Sequence, residues 1–296
     1  MSSEITFLAS DNWLDYELLD SGEGQKLERF GKYIFVRPEV EALWKKKLPK
    51  KDWDEAHGFF QKTREESGGF WKFNKSIPDR WELNYGKLYF WVMPTPGRHL
   101  GVFPEGAVHW DWMADLIASE SKPVKVLNLF GYTGLATLAA AGAGAMVTHV
   151  DASKKSVAWA KENQELSGMQ EKPIRWIVDD ALKFVQREYR RGSKYQGLII
   201  DPPKFGRGPK GEVWEVYKSL PVLLDACKLI MDKDALFSVL TVYAVKASSF
   251  HIKIIMEEMS GGLKETVQSG ELGIRESSGG RLLSTAVFAR WQSDKK

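Results

Sequence analysis

The apolar positions of this chain follow two rhythms. Up to about residue 100, aromatics interleave with charges in short runs. Examples are Arg29-Phe-Gly-Lys-Tyr-Ile-Phe-Val-Arg37 and Trp81-Glu-Leu-Asn-Tyr-Gly-Lys-Leu-Tyr-Phe-Trp-Val92. Partial alternation with aromatic enrichment predicts short antiparallel strands, and the central Asn84-Tyr-Gly-Lys87 predicts a hairpin. Pro94, Pro96 and Gly97 then punctuate the chain. A small β-rich, aromatic-rich domain over residues 1–100 is expected, ahead of a larger domain over 101–296.

After that linker the rhythm changes. Short apolar runs at Val124–Leu129, Met146–Val150, Ile174–Val178, Gly197–Ile200 and Ala235–Leu240 alternate with helical patterns. Two further runs, Glu265–Ile274 and Leu282–Trp291, follow one another through Ser277-Ser-Gly-Gly280. Alternating β and α units predict a parallel sheet with helices on both faces, and the last two runs predict an antiparallel hairpin. The expected fold class is therefore α/β: a seven-stranded, doubly wound Rossmann-like sheet ending in an antiparallel hairpin. One helix is predicted from Val213 to Met231, with Val213, Val216, Tyr217, Leu220, Leu223, Leu224 and Cys227 on one face and a kink at Pro221.

Composition narrows the class without deciding it. The 42 basic and 39 acidic residues leave a net charge of +3, far from a strongly basic nucleic-acid binder. Two basic clusters stand out, Lys45-Lys46-Lys47 with Lys50-Lys51, and Arg187, Arg190, Arg191 with Lys194. They suit either solvated surface or phosphate contact. Cys227 has no second cysteine to pair with, and Met1-Ser-Ser-Glu4 carries an acid where a secretory signal would be basic. The small, apolar stretch Leu135–Val147 is too short and Gly-rich to span a bilayer. A cytoplasmic location is expected. The five histidines are scattered without ligand spacing, so no metal is expected.

Candidate chemistry gathers at the ends of the predicted strands. In open α/β sheets, ligands settle beyond the carboxyl ends of the strands, where the strand order reverses. The first strand runs into Asn128-Leu-Phe-Gly-Tyr-Thr-Gly134 and then a helix, a turn whose glycines allow close backbone approach to a ligand. The second ends in His149-Val-Asp151, followed by Ala152, where an acid is placed for ribose hydroxyls or for capping the next helix. The third ends in Val178-Asp179-Asp180-Ala181; either acid could take an adenine amine or cap a helix, and Asp180 is favoured. The fourth ends in Asp201-Pro202-Pro203-Lys204-Phe205. Two prolines cannot continue a ladder, so they stiffen this exit and fix Asp201 and neighbouring carbonyls for a planar amine.

Together these segments resemble class I S-adenosylmethionine-dependent methyltransferases, specifically the bacterial large-subunit ribosomal RNA group with an Asp-Pro-Pro-Lys-Phe motif. The likeness extends upstream to Leu18-Leu-Asp-Ser-Gly22, Leu27-Glu-Arg-Phe-Gly31 and Gly101-Val-Phe-Pro-Glu105. It implies S-adenosyl-L-methionine as cofactor and RNA as substrate. It places Phe103, Asn128, Phe130, Gly131, Tyr132, Thr133, Gly134, Asp151, Ala152, Asp179, Asp180 and Ala181 at the cofactor. Asp201, Pro202 and Pro203 would act in catalysis, with Lys204 and Phe205 on the substrate. Relatives that methylate carbon 5 of cytosine attack with a cysteine; here Ala244 stands in the thiol's place. Transfer to a base nitrogen, without a cysteine nucleophile, is the expectation. The alternatives are a protein or small-molecule acceptor, a nicotinamide-dependent oxidoreductase, and a non-catalytic RNA-binding protein. The dinucleotide alternative is disfavoured because Tyr132-Thr133 stands where a Gly-x-Gly-x-x-Gly fingerprint needs open space.

Overall fold

The computed structural model describes residues 6–63, 68–261 and 267–293. Met1-Ser-Ser-Glu4, and Glu265 at the start of one predicted strand, lie outside them. The chain divides into two units, one built around Gly106–Leu272 and the other around Ala9–Glu105 with Gly273–Ser284.

In chain order, β1 (Thr6–Ala9) precedes the strands of the smaller unit, β2 (Tyr16–Gly22), β3 (Gln25–Phe30) and β4 (Tyr33–Pro38). Helix α1 (Lys50–Asp54), β5 (Gly58–Lys62), β6 (Gly69–Phe73), β7 (Trp81–Tyr85) and β8 (Leu88–Val92) follow. Strands β2 to β6 form one sheet in sequence order, antiparallel except where β4 meets β5. Strands β7 and β8 form the hairpin predicted around Tyr85-Gly86, with Gly86 at φ 57°. This unit encloses an ion pair. Both Glu28 carboxylate oxygens accept from Arg37 at 2.6 Å, and the Tyr16 hydroxyl donates to Glu28 at 2.9 Å.

The larger unit contains α2 (Ala107–Ala118), β9 (Lys125–Leu129), α3 (Leu135–Gly142), β10 (Met146–Asp151), α4 (Lys154–Leu166), β11 (Ile174–Val178) and α5 (Ala181–Arg190). Then come β12 (Gly197–Ile200), β13 (Phe205–Arg207), β14 (Val213–Glu215), α6 (Val216–Ile230), β15 (Phe237–Tyr243) and α7 (Ser249–Ser260). The long hairpin β16 (Gln268–Arg275) and β17 (Leu282–Gln292) closes the chain. The sheet order is β1-β16-β17-β15-β12-β9-β10-β11. It is parallel from β15 to β11, and β17 returns antiparallel to β15. The doubly wound sheet and antiparallel edge are those expected, with one strand more. Four-residue β1 joins β16 at the edge, and it is too short for its periodicity to stand out.

Central strands are buried on both faces, which explains why they read as continuous apolar runs rather than alternation. All four residues of β12 are buried. Phe184 and Val185 of α5, Leu220, Leu223 and Leu224 of α6, and Ile252 and Met256 of α7 pack with Leu127, Leu198 and Leu240 into one core. Among the described residues, no helix is long and apolar enough to cross a membrane.

The helix predicted from Val213 needs correction. Val213–Glu215 is strand β14, paired antiparallel with β13, and the helix begins at Val216. Val213 and Val216 satisfy helical spacing by coincidence, because Val213 faces solvent and Trp214 is buried. Tyr217 is also exposed, so the apolar face is Val216, Leu220, Leu223, Leu224, Cys227 and Ile230. The helix runs through Pro221 for 15 residues.

Candidate functional site

Strand register brings the sequence-predicted segments into one row. Ile200 of β12 pairs beside Leu129 of β9, Leu129 beside Val150 of β10, and Asp151 beside Val178 of β11. The chain turns one way after β9 to reach β10, while β12 flanks its other side, so the order reverses between β9 and β12. That is the switch point at which open sheets leave a crevice for ligands. Phe130, Ala152, Asp179 and Asp201 each follow one of these strand ends.

The turn after β9 is held in an unusual backbone. Phe130 and Tyr132 have φ of 59° and 49°, and Gly134 has 87°. Left-handed non-glycine residues are uncommon and persist where surrounding bonds over-determine them. Here the bonds are visible. Gly131 N–H donates to the Val150 carbonyl at 3.1 Å, and Tyr132 N–H donates to Asp151 Oδ2 at 2.9 Å. The Thr133 carbonyl accepts from buried Asn163 at 2.9 Å. Gly134 is the residue before α3, and a Cβ there would lie 2.8 Å from the Cβ of Ala160. The first N–H groups of α3 are left without partners inside the helix, so they can face an anionic group.

Behind the turn lies a buried polar chain that sequence reading did not assemble. Asn128 Nδ2 donates to Thr137 Oγ1 at 2.9 Å, and Thr137 Oγ1 bonds His149 Nδ1 at 2.9 Å. Burial pushes the His149 pKa down to about 3, so its ring is neutral. The ring packs on Trp176 and fills the space beside Gly131, where any Cβ would fall on it. Gly131→Ala is therefore expected to destabilise the fold by about 1–3 kcal/mol. Urea unfolding checks this; unchanged stability would mean that the ring can move aside.

The acids differ in how far they are occupied. Asp151 accepts from Tyr132 N–H and, through Oδ1, from Ser153 N–H at 2.8 Å; Ser153, not Asp151, caps α4. Burial raises the Asp151 pKa against these two hydrogen bonds. Asp179 is paired with Arg187, and its Oδ1 accepts from Asp180 N–H at 2.8 Å. Asp180 caps α5, its Oδ1 accepting from Lys183 N–H at 2.9 Å. Ala152 is half-buried and Ala181 buried.

Asp201 N–H reaches the Leu129 carbonyl at 3.4 Å, tying the fourth strand end to the first. Pro202 is buried, while Pro203, Lys204 and Phe205 are exposed. Trp214 completes this corner. Its Nε1 donates to the Pro203 carbonyl at 2.7 Å, and its ring lies 4.7 Å from that of Phe130. The signal for Trp214 was the Val-Trp-Glu alternation, masked by the helical spacing around it. Phe103 belongs to the smaller unit, where its ring tilts against His99 at 4.8 Å.

This donor set fits an adenosyl ligand with an amino-acid tail: carboxylates for hydroxyls and an amine, helix N–H groups for a carboxylate, and a tightly turned backbone between them. No protein-family model matches the chain. Among solved structures, the SAM-dependent methyltransferase from Agrobacterium tumefaciens is 46% identical with a TM-score of 0.93, covering 99% of this chain and 96% of that one. Among curated proteins, the ribosomal RNA large subunit methyltransferase K/L of Shewanella baltica is 29% identical over 216 residues, 69% of this chain and 28% of the relative. The ribosomal RNA large subunit methyltransferase K of Neisseria meningitidis is 26% identical over 179 residues, 59% of this chain and 49% of the relative. The matches thus span under half the length of these two curated relatives.

Proposed function

We propose, because this chain belongs to the S-adenosylmethionine-dependent methyltransferases, that it methylates a base nitrogen of RNA, ribosomal RNA foremost, without a cysteine nucleophile. The nicotinamide-dependent alternative does not survive that membership. S-Adenosylmethionine supplies an electrophilic methyl group. The observation that carries the choice of acceptor atom is Asp201-Pro-Pro at the end of β12, tied by its backbone to the end of β9.

In this reading the turn Phe130-Gly-Tyr-Thr-Gly134, with Asn128 holding it from behind, takes the methionine part of the cofactor. Asp151 and Ala152 take the ribose. Asp180 and Ala181 take the adenine. Asp180 is preferred because the Asp179 carboxylate is committed to Arg187 and to the Asp180 N–H. Phe103 is assigned to the cofactor by sequence resemblance alone. Asp201, Pro202 and Pro203 hold the accepting amine, Asp201 through its carboxylate and the prolines by rigidity; orientation of this kind supplies much of the rate of a transfer reaction. Lys204 and Phe205 face the substrate.

A thiolate route has no support from this sequence. Cys227, the one cysteine, is buried on α6 and burial pushes its thiol pKa up, so it is a packed apolar group. Ala244 occupies the position after β15 where resembling carbon methyltransferases carry the nucleophile. Residues 1–100 would serve the substrate as a holding or lid domain, and residues 101–296 the cofactor. A cytoplasmic setting suits both the RNA and the free thiol.

The ribosomal assignment follows the names of the curated relatives, and the weak net charge of +3 favours a protein or small-molecule acceptor instead. Methyl-labelled cofactor, incubated with total RNA and total protein from cells lacking the protein, decides between them. Label in RNA, in a nucleoside that mass spectrometry finds missing from those cells, is the expected result. Label confined to protein would overturn the RNA reading.

A further inference from the structure

Between Asp201-Pro-Pro and α6 the chain makes a hairpin that carries none of the residues assigned to the cofactor. Phe205 pairs with Glu215, Gly206 with Trp214, and Arg207 with Val213. Side chains alternate along a strand, so Trp214 turns to one face while Phe205, Arg207, Val213 and Glu215 share the other.

The Trp214 face is anchored. Besides its ring on Phe130 and its bond to Pro203, Val216 N–H donates to the Lys204 carbonyl at 3.0 Å, closing the base of the hairpin. At the tip, Gly208 N–H donates to the Glu212 carbonyl at 2.8 Å. Lys183 on α5 reaches Glu212 Oε1 at 2.5 Å. The hairpin is therefore fixed both to the turn after β9 and to the helix that Asp180 caps.

The other face is open. Phe205 and Val213 are 57% and 59% exposed, an apolar pair on the face opposite Trp214. Lys204, Arg207 and Lys210 around them are exposed as well. The two local acids do not offset these charges, since Glu212 is paired with Lys183 and Glu215 with Lys218. A ring flanked by cations, four positions after the aspartate assigned to the accepting amine, matches a nucleobase and the phosphates beside it. Aromatic rings take up unstacked bases, and Lys and Arg take the backbone.

We infer that the outward face of this hairpin is the acceptor platform, with Phe205 stacking a base of the RNA strand and Arg207 and Lys210 holding the adjoining phosphate. This rests on the reading of RNA as substrate. It adds that acceptor selection is made by a hairpin within the catalytic unit itself, anchored on the turn after β9 and on α5.

The test uses the full chain, S-adenosylhomocysteine as the cofactor probe, and total RNA from cells lacking the protein. Phe205→Ala should keep cofactor affinity within about twofold while kcat/KM for RNA falls about tenfold or more, and Phe205→Tyr should restore most of it. Arg207→Ala should bind RNA more weakly and flatten the slope of log affinity against log salt by about 0.7, as one lost phosphate contact on a single strand requires. Lys172→Ala, an exposed cation in the loop ahead of β11 and outside both basic clusters, should change neither. If Phe205→Ala and Arg207→Ala methylate RNA as the parent does, the platform is wrong and the RNA reading stands. If they lose cofactor affinity in step with activity, the hairpin belongs to the cofactor site and the platform is again wrong. If the parent labels protein alone, the RNA reading fails first and the platform falls with it.

Discussion

Alanine at Asp201 is expected to lower kcat by about a hundredfold to a thousandfold while S-adenosylhomocysteine still binds. The backbone of this residue is fixed by contacts on either side of it. Its N–H is directed to Leu129, Ile200 before it is the last residue of a fully buried strand, and Pro203 after it is held through its carbonyl by Trp214. Truncating the carboxylate should therefore leave the corner in place and remove the role proposed for it. In the proposed reaction that role is to hold the N–H of the accepting amine and to face the positive charge that grows on nitrogen as the new bond forms. Removing one preorganised group of this kind costs about a hundredfold to a thousandfold in other enzymes. Asp201→Asn, which keeps the shape and an acceptor oxygen but loses the charge, should fall between the two. Single-turnover methyl transfer measures the effect, and calorimetry with S-adenosylhomocysteine confirms that the site persists. If Asp201→Ala retains the parental rate, orientation must come from backbone carbonyls alone, and Asp201 loses its catalytic assignment.

Much of the larger unit could be read from sequence because its signals are local. Buried parallel strands give unbroken apolar runs, and Gly197–Ile200 begins and ends where its run does; the edge strand Ile174–Val178, interrupted by Arg175, also keeps its predicted bounds. Strand-end residues could be placed because topology, rather than packing detail, lines up Leu129, Val150 and Ile200. What stayed hidden depends on residues far apart in the chain or on competition between two periods. The β13–β14 hairpin was lost to a helical pattern that continues from its last residue. The chain from Asn128 through Thr137 to His149 joins three elements, and each residue alone has a blander reading. The same holds for Leu18-Leu-Asp-Ser-Gly22 in the smaller unit. Asp20 accepts from the N–H groups of Lys47 and Leu48 and pairs with Arg281, while Ser21 donates to Glu276 at 2.7 Å. Partners some 255 positions away leave no periodic trace.

The second of the upstream segments, Leu27-Glu-Arg-Phe-Gly31, owes its glutamate to the core of the smaller unit, and Glu28→Gln is expected to destabilise that unit by about 3–5 kcal/mol at neutral pH. Glutamine keeps the shape and can still accept from the Tyr16 hydroxyl, but it removes the one carboxylate that bonds the buried Arg37 guanidinium through both oxygens. Breaking a buried pair on one side costs that much because the remaining ion stays desolvated. The pH dependence tests the cause. Burial alone would raise the Glu28 pKa, but Arg37 foremost, then Lys26, and hydrogen bonds from Arg37 and Tyr16, pull it from 4.5 to about 2. A carboxyl whose folded pKa is depressed contributes stability that is complete above its unfolded pKa. That contribution is lost as pH falls through the folded value. The window is therefore pH 4.5 down to about 2, and the shift amounts to about 3 kcal/mol. Urea unfolding of the parent and Glu28→Gln should thus differ by a constant amount above pH 5 and converge as the pH approaches 2. A difference that stays flat across the window would assign the loss to packing. In that case the glutamate would be there for shape, and the charge of Arg37 would be held by something other than Glu28.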